Sequence, residues 1–72
     1  MTLHEALENK EYFIYDIDTD DEELDAFLFS LGCYSGEPIT VMAHRKGCSI
    51  VSIKDGRYTF DKGLCKAISL YA

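Results

Sequence analysis

Three cysteines, two histidines and a run of acids are the side chains of this 72-residue chain with the most reactive chemistry. Cys33, Cys48 and Cys65 lie too far apart for a C-x-x-C or C-x-x-H pair. His4 and His44 have no Cys, His or carboxylate at the spacing of a metal motif. An odd cysteine count without pairing suits a reducing compartment, so free thiols are expected. Read as packing, the three are small buried hydrophobes, and the histidines are surface residues. Read as chemistry, Cys33, Cys48, Cys65 and His44 are the soft ligands available to a transition metal. They make a site only if the fold gathers three strands at one place.

Asp16, Asp18 and Asp20 imitate the first half of a calcium loop. The sixth position is Asp21, where such a loop needs Gly, and the twelfth is Phe27, where it needs a bidentate Glu. A charged strand end running into a helix start explains these acids better. The run Asp18 to Asp25 is then a solvated face, or a docking face for a basic partner. No nucleophile elbow, phosphate loop or zincin helix occurs. A chain this short also lacks the walls of a deep pocket, so the expectation is a binding protein and not an enzyme.

The elements that must position these residues follow from periodicity. Thr2 and Glu5 have capping-box spacing and predict a short helix whose apolar side is Leu3, Ala6 and Leu7, ended by Asn9-Lys10. Residues 11–18 alternate and predict a strand, with Phe13, Tyr15 and Ile17 on one face and Tyr12, Ile14 and Asp16 on the other. Residues 19–32 predict the clearest helix. Thr19 and Glu22 cap it, Leu24, Phe27, Leu28 and Leu31 form its stripe, and Gly32 stops it. After a turn at Ser35-Gly36, Ile39, Val41 and Ala43 alternate with Thr40, Met42 and His44. The tip Arg45-Lys46-Gly47 leads into strand 48–54. Asp55-Gly56 reads as a two-residue hairpin turn into strand 57–60. One helical turn over 62–67 and a last strand from Ile68 close the chain. Five short strands leave too little material for two sheets. The expected fold is mainly β, a small α+β: a five-stranded, partly open barrel with one or two short helices, as one domain over 1–72.

Net charge is −6, unevenly placed. Residues 1–36 hold ten acids and one base, and residues 37–72 three acids and six bases. The acidic excess argues against duplex nucleic acid or an anionic lipid surface as partner. No apolar run approaches the roughly 20 residues of a membrane span. The opening residues lack the basic and apolar regions of a signal peptide, so a cytoplasmic location is expected.

Leu28-Phe-Ser-Leu31-Gly32-Cys-Tyr-Ser-Gly36, followed by Ile39-Thr-Val41-Met42, resembles the family of ferrous iron transport protein A, FeoA. Met1-Thr-Leu3 with Ala6-Leu7 resembles that family's opening. Gly56-Arg57, and later Ala67-Ile68-Ser-Leu70, resemble its end. The likeness spans nearly the whole chain in order. It implies an SH3-like barrel and a cytoplasmic accessory that binds the GTPase part of the FeoB-type ferrous iron transporter. The sequence departs from the family at Phe27, where Arg is common, at Ser35, where Pro is usual, at the short 44–47 hairpin, and at Cys65, where Ala is common. Cys33, Tyr34, Ser35 and Gly36, with His44, Arg45 and Lys46, are the expected partner-contact loops. The alternatives the resemblance leaves are a metal-binding or metal-sensing domain for Fe2+ or another transition metal, like the similar barrel of iron-dependent repressors, and a structural module whose open sheet edge pairs with a second copy as a homo-oligomer.

Overall fold

The computed structural model describes residues 1–71. A single 3-10 turn, Leu3–Glu5, opens the chain, followed by β1 (Glu11–Ile17), α1 (Glu22–Leu31), β2 (Pro38–Arg45), β3 (Cys48–Ile53), β4 (Gly56–Asp61), α2 (Lys62–Ala67) and β5 (Ile68–Leu70). The five strands form one antiparallel sheet in the order β4-β3-β2-β1-β5. The sheet curls without closing, giving the expected mainly-β, partly open barrel. A shallow cleft lined by Asp18, Leu24, Asp61 and Leu64 lies beside the open side, between the start of α1 and α2.

Apolar side chains from every strand meet in one core: Tyr12, Ile14, Ile39, Val41, Val51, Ile53, Phe60, Ile68 and Leu70, with Leu3, Leu28, Cys33 and Cys65. Burying a Leu or Ile in such a core contributes about 1.5–3 kcal/mol. Leu28 is the one fully buried side chain of α1, packed with the half-buried Leu24 and Leu31. Phe27, placed on that stripe by its spacing, is exposed instead. It sits one position before Leu28, and a ten-residue helix covering one end of a barrel offers the core only a narrow stripe.

Five further local expectations are corrected. The first helix is only the 3-10 turn: Glu5 accepts the Thr2 N–H at 2.8 Å, but Ala6 is extended and Leu7 exposed. Asp21, not Thr19, caps α1, accepting from the Glu23 and Leu24 amides at 3.0 and 3.1 Å. A carboxylate there also answers the positive helix end, while Thr19 braces the turn before it through the Asp25 carboxylate. The β3–β4 turn is Lys54-Asp55, because Ile53 pairs with Gly56. Gly56 is needed for contact rather than for its φ: the Tyr58 ring fills the place a Cβ would take. A bulge between Ile14 and Asp16 turns Ile17 towards the core and away from the face of Phe13 and Tyr15. A second bulge, between Val41 and Ala43, shifts parity along β2 and puts His44 opposite the buried Ser49.

Candidate functional site: an aromatic, acidic cleft

α1 ends where Gly32 takes a left-handed φ of 91°, and the Cys33 amide returns to the Leu28 carbonyl at 2.9 Å. This folds residues 33–36 back against β1. The Gly36 amide donates to the Ile14 carbonyl at 2.7 Å, and the Ile14 amide donates to the Glu37 carbonyl at 2.9 Å. Ser35, standing where the resembling family has Pro, donates its hydroxyl to the Tyr15 carbonyl at 2.9 Å. Lys54 crosses from the β3–β4 turn, packs over Gly32 and meets Glu37 at 2.9 Å. Its hydrogen bond, followed by one from Tyr34, holds the Glu37 carboxyl below the usual carboxylate range. The loop is thus tied down on three sides.

Between this loop, α1 and β1 lies a cleft of about 230 Å³ lined by Asp16, Ile17, Asp25, Phe29, Cys33, Tyr34 and Ser35. Phe29, 64% exposed, stacks on Tyr34 with ring centroids 4.6 Å apart. Tyr15, with Asp16 next to it in β1, meets the Tyr71 ring edge-on at 5.1 Å, and Phe13, Tyr15 and Tyr71 are all exposed. Residues 11–36, which build two walls and the loop, carry eight acids and no Lys, Arg or His. Cys33 forms the floor. Burial pushes its thiol up to about 11, so it acts as an apolar surface and not as a nucleophile or ready metal ligand.

The second predicted loop borders a different cleft, of about 180 Å³, lined by His4, His44, Arg45, Gly47, Cys48, Ser49 and Lys62. The two clefts share no residue. Arg45 and Lys46 are exposed, as their place at a tip requires. His44 is not the surface histidine its alternation implied. Its Nε2 lies 2.7 Å from the Ala6 carbonyl and its Nδ1 2.8 Å from the Ser49 hydroxyl. A carbonyl only accepts, so Nε2 carries the proton; in the neutral ring Nδ1 then accepts from Ser49. Both nitrogens are engaged within the fold.

Cys33 and Cys65 are buried and Cys48 is half-buried. Burial also raises the Cys65 thiol above its ordinary range. The structure gathers no three His, Cys, Asp or Glu residues into a group able to hold a metal ion among the described residues.

Of the expected contact loop, Cys33, Tyr34 and Ser35 line this cleft, and sequence reasoning did not give Phe29, Asp25 and Asp16 as their neighbours. A signal was present in β1, where both faces are apolar although one sheet face suffices for a core. Another was Phe29, which falls off the Leu24-Leu28-Leu31 stripe.

No curated protein sequence matches the chain. Among solved structures it is similar to a manganese-dependent transcriptional repressor (18% identity, TM-score 0.81), covering 94% of this chain and 39% of that one. It is also similar to a manganese-dependent transcriptional repressor in complex with manganese (19% identity, TM-score 0.84), covering 99% of this chain and 35% of that one. The chain therefore spans little more than a third of those repressors. An iron uptake regulatory protein, FeoA, matches at 22% identity and TM-score 0.81, over 99% of this chain and 93% of the other. At such identities the likeness establishes the fold, an SH3-like barrel. The family model for the FeoA domain matches residues 1–71, and the chain belongs to the FeoA domain family.

Proposed function

We propose that this chain is a cytoplasmic, non-enzymatic accessory of ferrous iron uptake that binds the GTPase part of a FeoB-type transporter, using the aromatic, acidic cleft as its contact surface. Membership of a family associated with ferrous iron transport supports the setting. The observation that carries the site is the exposed Phe29 of α1 stacked on the half-buried Tyr34 of the braced loop, beside Asp16 and Asp25. Large rings held rigid at a surface give binding area at little entropic cost. The surrounding acids suit a partner patch that is apolar at its centre and basic at its rim. No helix is long and apolar enough to cross a membrane among the described residues. The Arg45-Lys46 tip is a second, peripheral contact to an acidic patch.

The test is an amide spectrum of ¹⁵N-labelled protein recorded while the transporter's GTPase domain is added. Shifts clustered on Tyr15, Phe29 and residues 33–36, with smaller ones at 44–47, are expected. An unchanged spectrum at high micromolar partner would sink the proposal.

A further inference from the structure

The two edges of the sheet are finished differently. Beyond β5, the N-terminal segment adds an isolated bridge, Thr2 to Ser69, and the Leu70 amide donates to the Met1 carbonyl at 2.8 Å. Beyond β4 no strand follows, and no loop backbone bonds to Arg57, Thr59 or Asp61 among the described residues. The tight hairpin closes on the Ile53–Gly56 pair, and the ladder continues through Val51–Tyr58 and Ser49–Phe60. Backbone groups alternate along an antiparallel strand. With Gly56, Tyr58 and Phe60 turned to β3, those of Arg57, Thr59 and Asp61 point outward. The same three side chains share the solvent face, all exposed. No Pro or bulge blocks β4, and its two charged side chains, Arg57 and Asp61, are of opposite sign.

We propose that β4 is a self-complementary edge on which a second copy of this chain docks antiparallel, about a two-fold axis through Thr59. The register follows from the hydrogen bonds it can make. A two-fold antiparallel pair can centre on any residue of the strand, and only Thr59 at the centre brings all three outward-pointing residues, Arg57, Thr59 and Asp61, into hydrogen-bonded pairs. Centred there, Thr59 faces Thr59 of the second copy, and Arg57 faces Asp61 of the second copy on both sides of the axis. Each copy thus donates its Thr59 amide to the other's Thr59 carbonyl and its Asp61 amide to the other's Arg57 carbonyl. The Arg57 guanidinium lies opposite a carboxylate twice over, a favourable cross-strand pair. None of Arg57, Thr59 and Asp61 lines the aromatic, acidic cleft.

Sedimentation equilibrium from micromolar to millimolar concentration tests this, with the transporter absent. The expected result is a mass rising from monomer to dimer. Thr59→Lys sets two ammonium groups face to face on the axis and changes an exposed side chain only; it should raise the dimer dissociation constant about tenfold or more. Arg57→Asp and Asp61→Arg should each weaken self-association, and an equal mixture of the two should restore it, because only the mixed pair again opposes unlike charges. Asp61 also caps α2, accepting from the Leu64 amide at 2.7 Å, but loss of that cap in Asp61→Arg cannot produce the rescue, which therefore reads the register. A constant monomer mass at millimolar concentration overturns the proposal. So does a dimer indifferent to Thr59→Lys, which would place the contact elsewhere.

Discussion

The cleft at residues 33–36 and the cleft at the 44–47 hairpin use their side chains in opposite ways. In the first, an apolar ring faces water on a braced backbone: the exposed Phe29 stacks on the half-buried Tyr34 beside the buried Cys33. In the second, a polar ring is drawn inward, His44 joining the Ala6 carbonyl to Ser49. Exposed apolar surface on a rigid support is available to a partner. A polar group already satisfied inside the fold is spent on stability. The difference sets the surface proposed for a partner apart from the His44 clasp, and in the second cleft it leaves only the exposed Arg45-Lys46 tip free to meet one.

The largest expected effect separates the two clefts by their cysteines. With its thiol pushed up to about 11 from an ordinary 9.0, Cys33 presents about a hundredfold less thiolate than a free cysteine near neutral pH. Iodoacetamide with mass-spectrometric mapping should find Cys48 modified first and Cys33 only on unfolding. A raised thiol pKa favours folding while the unfolded thiol is protonated, so this contribution is full below about pH 9 and is lost as pH rises towards 11. Rapid labelling of Cys33 in the native protein would contradict the closed floor.

Phe29→Ala comes next. Removing a central aromatic from a contact typically costs about 2 kcal/mol of binding, roughly thirtyfold in affinity, while an exposed site changes stability by less than about 0.5 kcal/mol. Calorimetric titration with the GTPase domain and a urea melt should show that split. His44→Ala should show the reverse. It strands the Ser49 hydroxyl and the Ala6 carbonyl, which costs about 1–2 kcal/mol in the melt and leaves partner affinity intact. If both variants lose binding equally, the two clefts form one interface and the distinction falls. The smallest effect concerns the brace. Glu37 has a lowered pKa through Lys54, so its contribution is present above the ordinary carboxylate range and lost as pH falls through the folded value. Glu37→Gln should flatten that acid limb slightly.

Most of the fold was legible because period and punctuation agreed. Tyr12 and Ile14, the Leu24-Leu28-Leu31 stripe and Gly32 each fixed an element from local chemistry alone. The misplacements share a cause. An extra residue in a strand leaves composition unchanged but reverses every later side chain, and neither the bulge after Ile14 nor that after Val41 is marked by Gly or Pro. The site was half legible for a related reason. Turn residues announced the 33–36 loop, but which rings stand around it depends on how α1 lies across the barrel, a long-range matter that periodicity does not encode. Phe27 shows the same limit, since its spacing suits the stripe and only packing sends it outward.

The bulge in β2 also gives the strand a tolerance in length. Its extra residue is Met42, between Val41, paired with Val51, and Ala43, paired with Ile50. Any substitution there leaves His44 facing Ser49. Deleting Met42 would leave it there too, since Val41–Val51, Ala43–Ile50 and His44–Ser49 would then be consecutive pairs of a regular ladder. The strand carries one residue more than its pairing requires, a slack of one codon whose loss changes local twist and not which side chains lie inside.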